Sequence, residues 1–414
     1  MSFQINIPWP NAQDYGQESI KTSYKISLGL FELVSLGIGG TIGSGIFIVP
    51  GIVAGIAGPS SIFAWLFALA SASCVAYALA KASYKYPSTG AFYSIFSIVF
   101  SKKISLILVF LYLISVVVGI AAIADGIGQY FSFFGFQHDP FVILLVEVIA
   151  ILAFCAINIK GVLLSGKTEN VLTIAKIAPL IILAILLVPY IDESNFSPFY
   201  PSSRSTDFLK ALVIVYFPFT GFEISAIPAQ ETRTAEKIVY RAMRMTMIIV
   251  GFVYIFLNIS LIGATGSKVL ANSPAPLATA SGLISKESQS ITAMIGIIAM
   301  LSAVNAYMLA AARVLQNVSS LFNLRTLREL SSSGTPAIAT MLVTLAACTL
   351  VLFLSHNFEQ LASISVIAIL VVYIFVCVCA YKIFLNDASV RLIACIGVLL
   401  TSTILVVYFL LKIQ

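Results

Sequence analysis

The feature that most constrains this chain is the length of its apolar stretches. Near-continuous apolar sequence falls near 29–56, 59–80, 104–131, 140–159, 168–190, 208–230, 245–265, 290–315, 336–355, 358–381 and 391–411. About 20 residues of helix are enough to cross the hydrocarbon core of a bilayer. In hydrocarbon every backbone donor and acceptor must be satisfied inside the protein, so runs of this length fold as helices. The expected fold class is therefore an all-α integral membrane protein of about eleven transmembrane helices, with twelve as the alternative. Composition agrees, because 60% of the residues are hydrophobic and only 10% are charged. A soluble domain carries about 25% charged residues, and so few charges cannot coat a water-facing surface of this size.

Residues 1–25 are polar and carry prolines, and the first apolar run is full length, so it does not read as a cleaved signal. The six cysteines, Cys74, Cys155, Cys348, Cys377, Cys379 and Cys395, all lie in apolar stretches and read as buried thiols. His138 and His356 are the two histidines, and both fall in expected loops. That excludes a histidine-rich metal centre, and no metal or cofactor is implied. The net charge of +6 fits the charge bias of membrane loops and does not suggest a nucleic-acid partner.

Lysine and arginine placement sets the orientation. With the N-terminus inside, seventeen of the 23 lysines and arginines fall on the inner side. Five, Arg204, Lys210, Lys268, Lys286 and Lys412, fall outside, and Lys176 is left within a span. This asymmetry expects a cytoplasmic N-terminal tail over 1–28. An odd helix count would put the C-terminus outside. No linker divides the chain into soluble domains.

Two spans look broken near mid-membrane. The first contains Gly39-Gly40-Thr41-Ile42-Gly43-Ser44-Gly45-Ile46-Phe47, and the sixth contains Phe217-Pro218-Phe219-Thr220-Gly221-Phe222-Glu223. At 1.5 Å per residue, Gly43 and Gly221 both lie about 20 Å from the start of their spans, around or just past the midplane. The breaks are five spans apart in antiparallel spans. Paired interrupted helices in corresponding positions point to a transporter built from inverted repeats. The half-helix starting near Gly45 offers free N–H groups and a positive dipole end to a carboxylate. The half-helices ending near Ile42 and Phe219 offer bare carbonyls to an ammonium. A zwitterion fits both, although close helix packing by small residues would explain a glycine-rich span taken alone.

These residues resemble the amino acid–polyamine–organocation superfamily. Gly-Ser-Gly-Ile-Phe in the first span and Phe-Thr-Gly-Phe-Glu in the sixth carry the resemblance. Ala76-Tyr77 through Pro87-Ser88-Thr89-Gly90-Ala91-Phe92-Tyr93, and Gln230-Glu231-Thr232-Arg233 with the basic run to Arg244, add to it. Residues 29–320 resemble the family by motif and the rest by hydropathy alone. Eleven helices depart from the usual twelve, and Ala312 stands before Arg313 where the family has serine. The resemblance implies a LeuT-type fold of five-plus-five inverted repeats, here 29–190 and 208–384, with an additional C-terminal helix over 388–414. It implies amino acid transport by alternating access. Ser44, Gly45 and Ile46 would then hold the carboxylate. The carbonyls of Thr41, Ile42, Phe217 and Thr220 would hold the amine, with Gly43, Phe219 and Gly221 completing the breaks and Phe217 covering the substrate from outside.

Five intramembrane charges remain. A lysine inside a span costs about 2.5–3.5 kcal/mol on insertion scales. Lys176 lies about 12 Å from the inner end of its span, so a snorkelling stem covers about half that distance. Residues alone leave function and snorkelling level. Proton-coupled members of the superfamily are similar in carrying a fifth-span lysine seven residues after a glutamate, here Glu169 and Lys176. Its ammonium would occupy the space that sodium takes in sodium-coupled relatives. Glu223 could sense protons or steady the unwound backbone, and capping of the following half-helix is an equal alternative. Asp125 and Glu147 lie about six residues from the outer ends of their spans and read as solvated, although Asp125 could recognise a cationic side chain. Arg313 reads as an interfacial anchor.

The function expected is secondary active transport of an amino acid by proton-coupled symport. The alternative is exchange of amino acids or polyamines without net proton movement. The partners are the amino acid, protons and the lipid bilayer. A channel would want like-charge rings or repeated filter motifs, and a membrane enzyme would want clustered His, Asp, Glu or Ser; neither pattern is present. Neutral substrate side chains are favoured, because few ionisable groups reach the expected cavity.

Overall fold

A computed structural model describes residues 28–86, 92–136, 139–161, 166–200, 205–228, 232, 234–322, 324–354 and 357–413. These residues fold into helices, with one isolated backbone bridge between Leu28 and Thr232. In chain order the α-helices are α1 (Leu30–Thr41), α2 (Ser44–Ala57), α3 (Ser61–Lys85), α4 (Phe92–Val99), α5 (Lys102–Phe131) and α6 (Pro140–Lys160). Next come α7 (Gly166–Leu187), α8 (Ser205–Tyr216), α9 (Ala235–Thr265), α10 (Ser267–Ala271) and α11 (Pro276–Ser281). The chain continues with α12 (Lys286–Ser319), α13 (Arg325–Arg328), α14 (Ala337–Leu354), α15 (Phe358–Ile383) and α16 (Ala388–Ile413).

Ten stretches among the described residues are long and apolar enough to cross a membrane. The first, Leu30–Lys85, has 56 residues. At 1.5 Å per residue that is about 84 Å of helix, enough for two crossings. It turns at Gly58–Ser60, where Pro59 opens a 3-10 turn and the Ser60 hydroxyl donates to the Ala57 carbonyl at 2.6 Å. Other ends follow local chemistry. The Asp139 carboxylate caps α6 by accepting from the Phe141 and Val142 N–H groups, each at 3.1 Å. Gly161 closes the same helix in the left-handed region. At the start of α1, the Glu32 carboxylate reaches back to the Gly29 N–H at 2.9 Å.

Burial sorts the elements into a centre and a periphery. Residues 33–51, in α1 and α2, are buried throughout, as are 211–228. Around them α5 packs on α12 and α15, and α3 packs on α9. The outer faces are apolar and exposed: Ile149 and Leu152 on α6, Leu345 and Phe353 on α14, Leu392 and Leu399 on α16. This is the inverse of a soluble protein and is what a lipid-facing surface requires. Cys155, Cys377 and Cys379 are buried free thiols as expected, whereas Cys395 is exposed on the outer face of α16. The motif residues 87–91, Gln230, Glu231 and Arg233 lie outside the described residues.

Candidate functional site: two facing helix breaks

The first break is narrower than the glycine run suggests. Helix α1 ends at Thr41, Ile42 (φ −83°, ψ 87°) leaves helical geometry, and Gly43 is extended at φ −127°. Ser44 and Gly45 already form the first turn of α2. The second break follows α8. Pro218 lacks the N–H that would continue the helix, and Phe217–Phe219 tighten into a 3-10 turn. Gly221 then adopts φ +99°, which only glycine reaches without cost.

The two breaks touch. A side chain added at Gly221 would put its Cβ 2.5 Å from the Gly40 carbonyl oxygen. One added at Gly45 would lie 2.7 Å from Pro218 Cα. Residues 41–46 and 217–223 are all buried, so the expected residues are brought together in one enclosed place.

The backbone groups freed by the breaks are divided between protein donors and open positions. A helix leaves its last carbonyls without internal partners. At the end of α1, Lys176 on α7 donates its Nζ to the Gly39 carbonyl at 2.9 Å and the Ile42 carbonyl at 3.3 Å. Lys176 is 1% exposed, so it does not snorkel to an interface. Tyr254 on α9 donates its hydroxyl to the Thr41 carbonyl at 2.8 Å, and the Gly43 N–H reaches the same oxygen at 3.1 Å. The Phe217 carbonyl accepts the Thr220 N–H at 3.0 Å and the Thr220 hydroxyl at 2.7 Å. Thr220 Oγ1 also lies 3.0 Å from the Tyr307 hydroxyl. Three of the four carbonyls expected to meet an amine are thus engaged within the protein.

The N-terminus of α2 is open by contrast. Gly43 supplies no side-chain cap, and Ser44 Oγ is buried without a hydrogen-bond partner among the described residues. The first N–H groups of this helix point the same way as its dipole. Gly126 on α5 packs directly against Ser44 and Ile48, and Gly43 packs against Ala303 and Ile123. The surround is small and apolar.

Glu223 belongs to the second break. Its Oε2 accepts the Gly221 N–H at 2.9 Å and the Tyr373 hydroxyl at 2.6 Å. The carboxylate therefore steadies the unwound segment. Asp125 and Glu147 depart from the solvated reading: both are buried, at 1% and 0% exposure. Depth along a span does not set solvent access when neighbouring helices close over it. Asp125 accepts the Gln129 amide at 2.8 Å, and Glu147 packs against Gly128. Arg313 is likewise buried, at 4%, beside Asn158, Thr335 and Pro336. The side chain of Glu169 lies outside the described residues. Ser302 on α12 has a buried hydroxyl without a partner among the described residues. The tyrosines Tyr254, Tyr307 and Tyr373 were missed by sequence reasoning. The available signal was a phenol in the middle of an apolar run, which must find a hydrogen-bond partner when buried.

Facing broken helices in a helical membrane bundle are an arrangement found in many secondary transporter folds. The sequence model of a family described as amino acid permease matches residues 28–413. The chain belongs to that family and is a multi-pass membrane protein. It is similar to the methylthioribose transporter of Bacillus subtilis (28% identical over 236 residues, 53% of this chain and 51% of that protein). It is similar to the serine/threonine exchanger SteT of Bacillus subtilis (27% over 245 residues, 58% and 55%). The inner membrane transport protein YbaT of Escherichia coli is 28% identical over 371 residues, 86% of this chain and 83% of that protein. The chain spans about half the length of the first two.

Proposed function

We propose that the chain is a secondary active amino acid transporter of the cell membrane, working by alternating access and coupled to protons. The observation that carries the reading is the pair of touching breaks with an open helix N-terminus between them. The N–H groups of Ser44, Gly45 and Ile46, with Ser44 Oγ, suit a carboxylate. The carbonyls of Ile42, Phe217 and Thr220 suit its ammonium, with the Thr220 hydroxyl turning away from Phe217 to release that acceptor. Thr41 is the weakest of the four, because Tyr254 and Gly43 already use its carbonyl. Gly43, Phe219 and Gly221 shape the gap. Phe217 stacks edge-on against Phe358 at 5.6 Å and serves as the outer cover. The small apolar surround of Ile123 and Ala303 favours a neutral side chain.

Protonated Lys176 holds the carbonyl end of α1, and loss of its proton frees that end to move. Glu223 supports the second break and takes part in coupling through the Gly221 backbone. In this reading 29–190 and 208–384 are inverted repeats of five spans each, 388–414 is an additional eleventh span, and the tail 1–28 is cytoplasmic. Exchange without net proton movement is the second reading, favoured by the similarity to the serine/threonine exchanger. Uptake of a radiolabelled amino acid panel into proteoliposomes, with and without a pH gradient, tests both. Accumulation driven by the gradient is expected. Transport only when amino acid is trapped inside supports exchange, and no transport of any amino acid contradicts the proposal.

A further inference from the structure

A groove of about 350 Å³ lies on the outer surface between α3 and α9, lined by none of the residues of the two breaks. Two stripes at helical spacing form it. Leu69, Ser73 and Tyr77 recur every four residues along α3, and Arg244, Ile248 and Phe252 recur likewise along α9. Gly251 forms the floor, where a side chain would strike Leu69 at 2.6 Å. Ile248 and Phe252 are 67% and 63% exposed, so the groove opens toward the surrounding membrane.

Its two ends differ in chemistry. One end is apolar. At the other, one turn past Tyr77, stands Lys81, whose Nζ lies 5.6 Å from the Tyr77 ring and 5.7 Å from the Tyr240 ring. The Arg244 guanidinium sits 5.5 Å from the Tyr240 ring. Two cations are therefore gathered on two aromatic faces at the mouth of an apolar channel. Lys81 makes a long, partly exposed ion pair with Asp387 at 4.0 Å, which leaves its ammonium donors open to a further anion. Arg244 has no anionic partner among the described residues. Two cations gathered around the Tyr240 ring raise the local positive potential and attract an anion.

We propose that this groove binds one anionic glycerophospholipid, with its phosphate between Lys81 and Arg244 and an acyl chain along Ile248 and Phe252. Basic pockets between transmembrane helices recognise such headgroups, because the cations meet the phosphate where the apolar walls meet the chain. The same helix that forms one wall holds α1 from its opposite face, through Tyr254 at Thr41. Lipid occupancy therefore steadies the support of the first break.

The test is native mass spectrometry of the full chain released from detergent with phosphatidylglycerol or phosphatidylcholine. The parent retains one phosphatidylglycerol in preference to phosphatidylcholine. Lys81→Gln with Arg244→Gln lowers that retention about tenfold or more, on the scale of two near-surface cations. Ser73→Phe fills the channel, leaves the cations in place and also loses the lipid, which separates groove from charge. Equal retention of both lipids, undiminished retention by the double variant, or displacement by glycerol phosphate alone would each overturn the proposal.

Discussion

Lys176 and Tyr254 show how single side chains hold a helix that stops in mid-membrane. Two of the oxygens orphaned where α1 stops are met by an ammonium and one by a phenol, each from a different helix. A net hydrogen bond is worth about 1 kcal/mol, so Tyr254→Phe should lower the unfolding free energy by about that amount, read as a small fall in thermal midpoint. No change would show that the hydroxyl does not hold Thr41. Glu223 carries more. Removing its carboxylate leaves the Gly221 N–H and the Tyr373 hydroxyl buried together, at about 1–3 kcal/mol for each unsatisfied group. Glu223→Ala should therefore be strongly destabilised. Glu223→Gln, which keeps an acceptor oxygen, should recover most of the loss. Equal thermal stability of the two variants would remove the supporting role. The Tyr254–Thr41 and Glu223–Tyr373 pairs could not be read from sequence, because a hydrogen bond between residues more than a hundred positions apart leaves no local pattern.

At the scale of the element, both interruptions were legible and their extent was not. Glycines at 39, 40, 43 and 45 marked the first break, and Pro218 with Gly221 marked the second. Four glycines look like a long gap, yet only Ile42 and Gly43 leave helical geometry. Gly40 and Gly45 are small for another reason, the close approach of the opposite break. Period and composition report that a residue is small, and only packing reports why. Two substitutions at this approach should therefore cost stability for different reasons. Gly221→Ala meets both a left-handed backbone, at about 1–2 kcal/mol, and the Gly40 carbonyl, so it should cost stability and uptake together. Gly45→Ala places a good helix former in the first turn of α2 but drives its Cβ to 2.7 Å from Pro218 Cα. It should lower thermal stability by about 1–3 kcal/mol through overpacking alone, while uptake falls at least tenfold. Wild-type uptake by Gly45→Ala would show that the breaks need not approach during transport.

For the whole molecule, the apolar stretches follow the helices closely, and intramembrane burial escaped them. Asp125, Glu147 and Arg313 each sit within about two turns of a span end, yet all three are enclosed by neighbouring helices. Hydropathy records distance along one helix and carries nothing about what surrounds it. The site chemistry predicts that both ends of a zwitterion are read. An α-amino acid should therefore outcompete its decarboxylated amine by at least tenfold in uptake assays, and equal competition would remove the carboxylate role of Ser44, Gly45 and Ile46.

The central claim joins Lys176 to the motion of α1. Lys176 donates to the Gly39 and Ile42 carbonyls at the end of α1, and in the proposed function one proton on it would bias two states of that element. The most direct measurement is sodium-free amino acid uptake against an imposed pH gradient, with parent and Lys176→Ala side by side. The account predicts gradient-driven accumulation by the parent, unchanged by added sodium, and none by Lys176→Ala, which should still bind substrate. Equal proton-driven accumulation by the two proteins would contradict it.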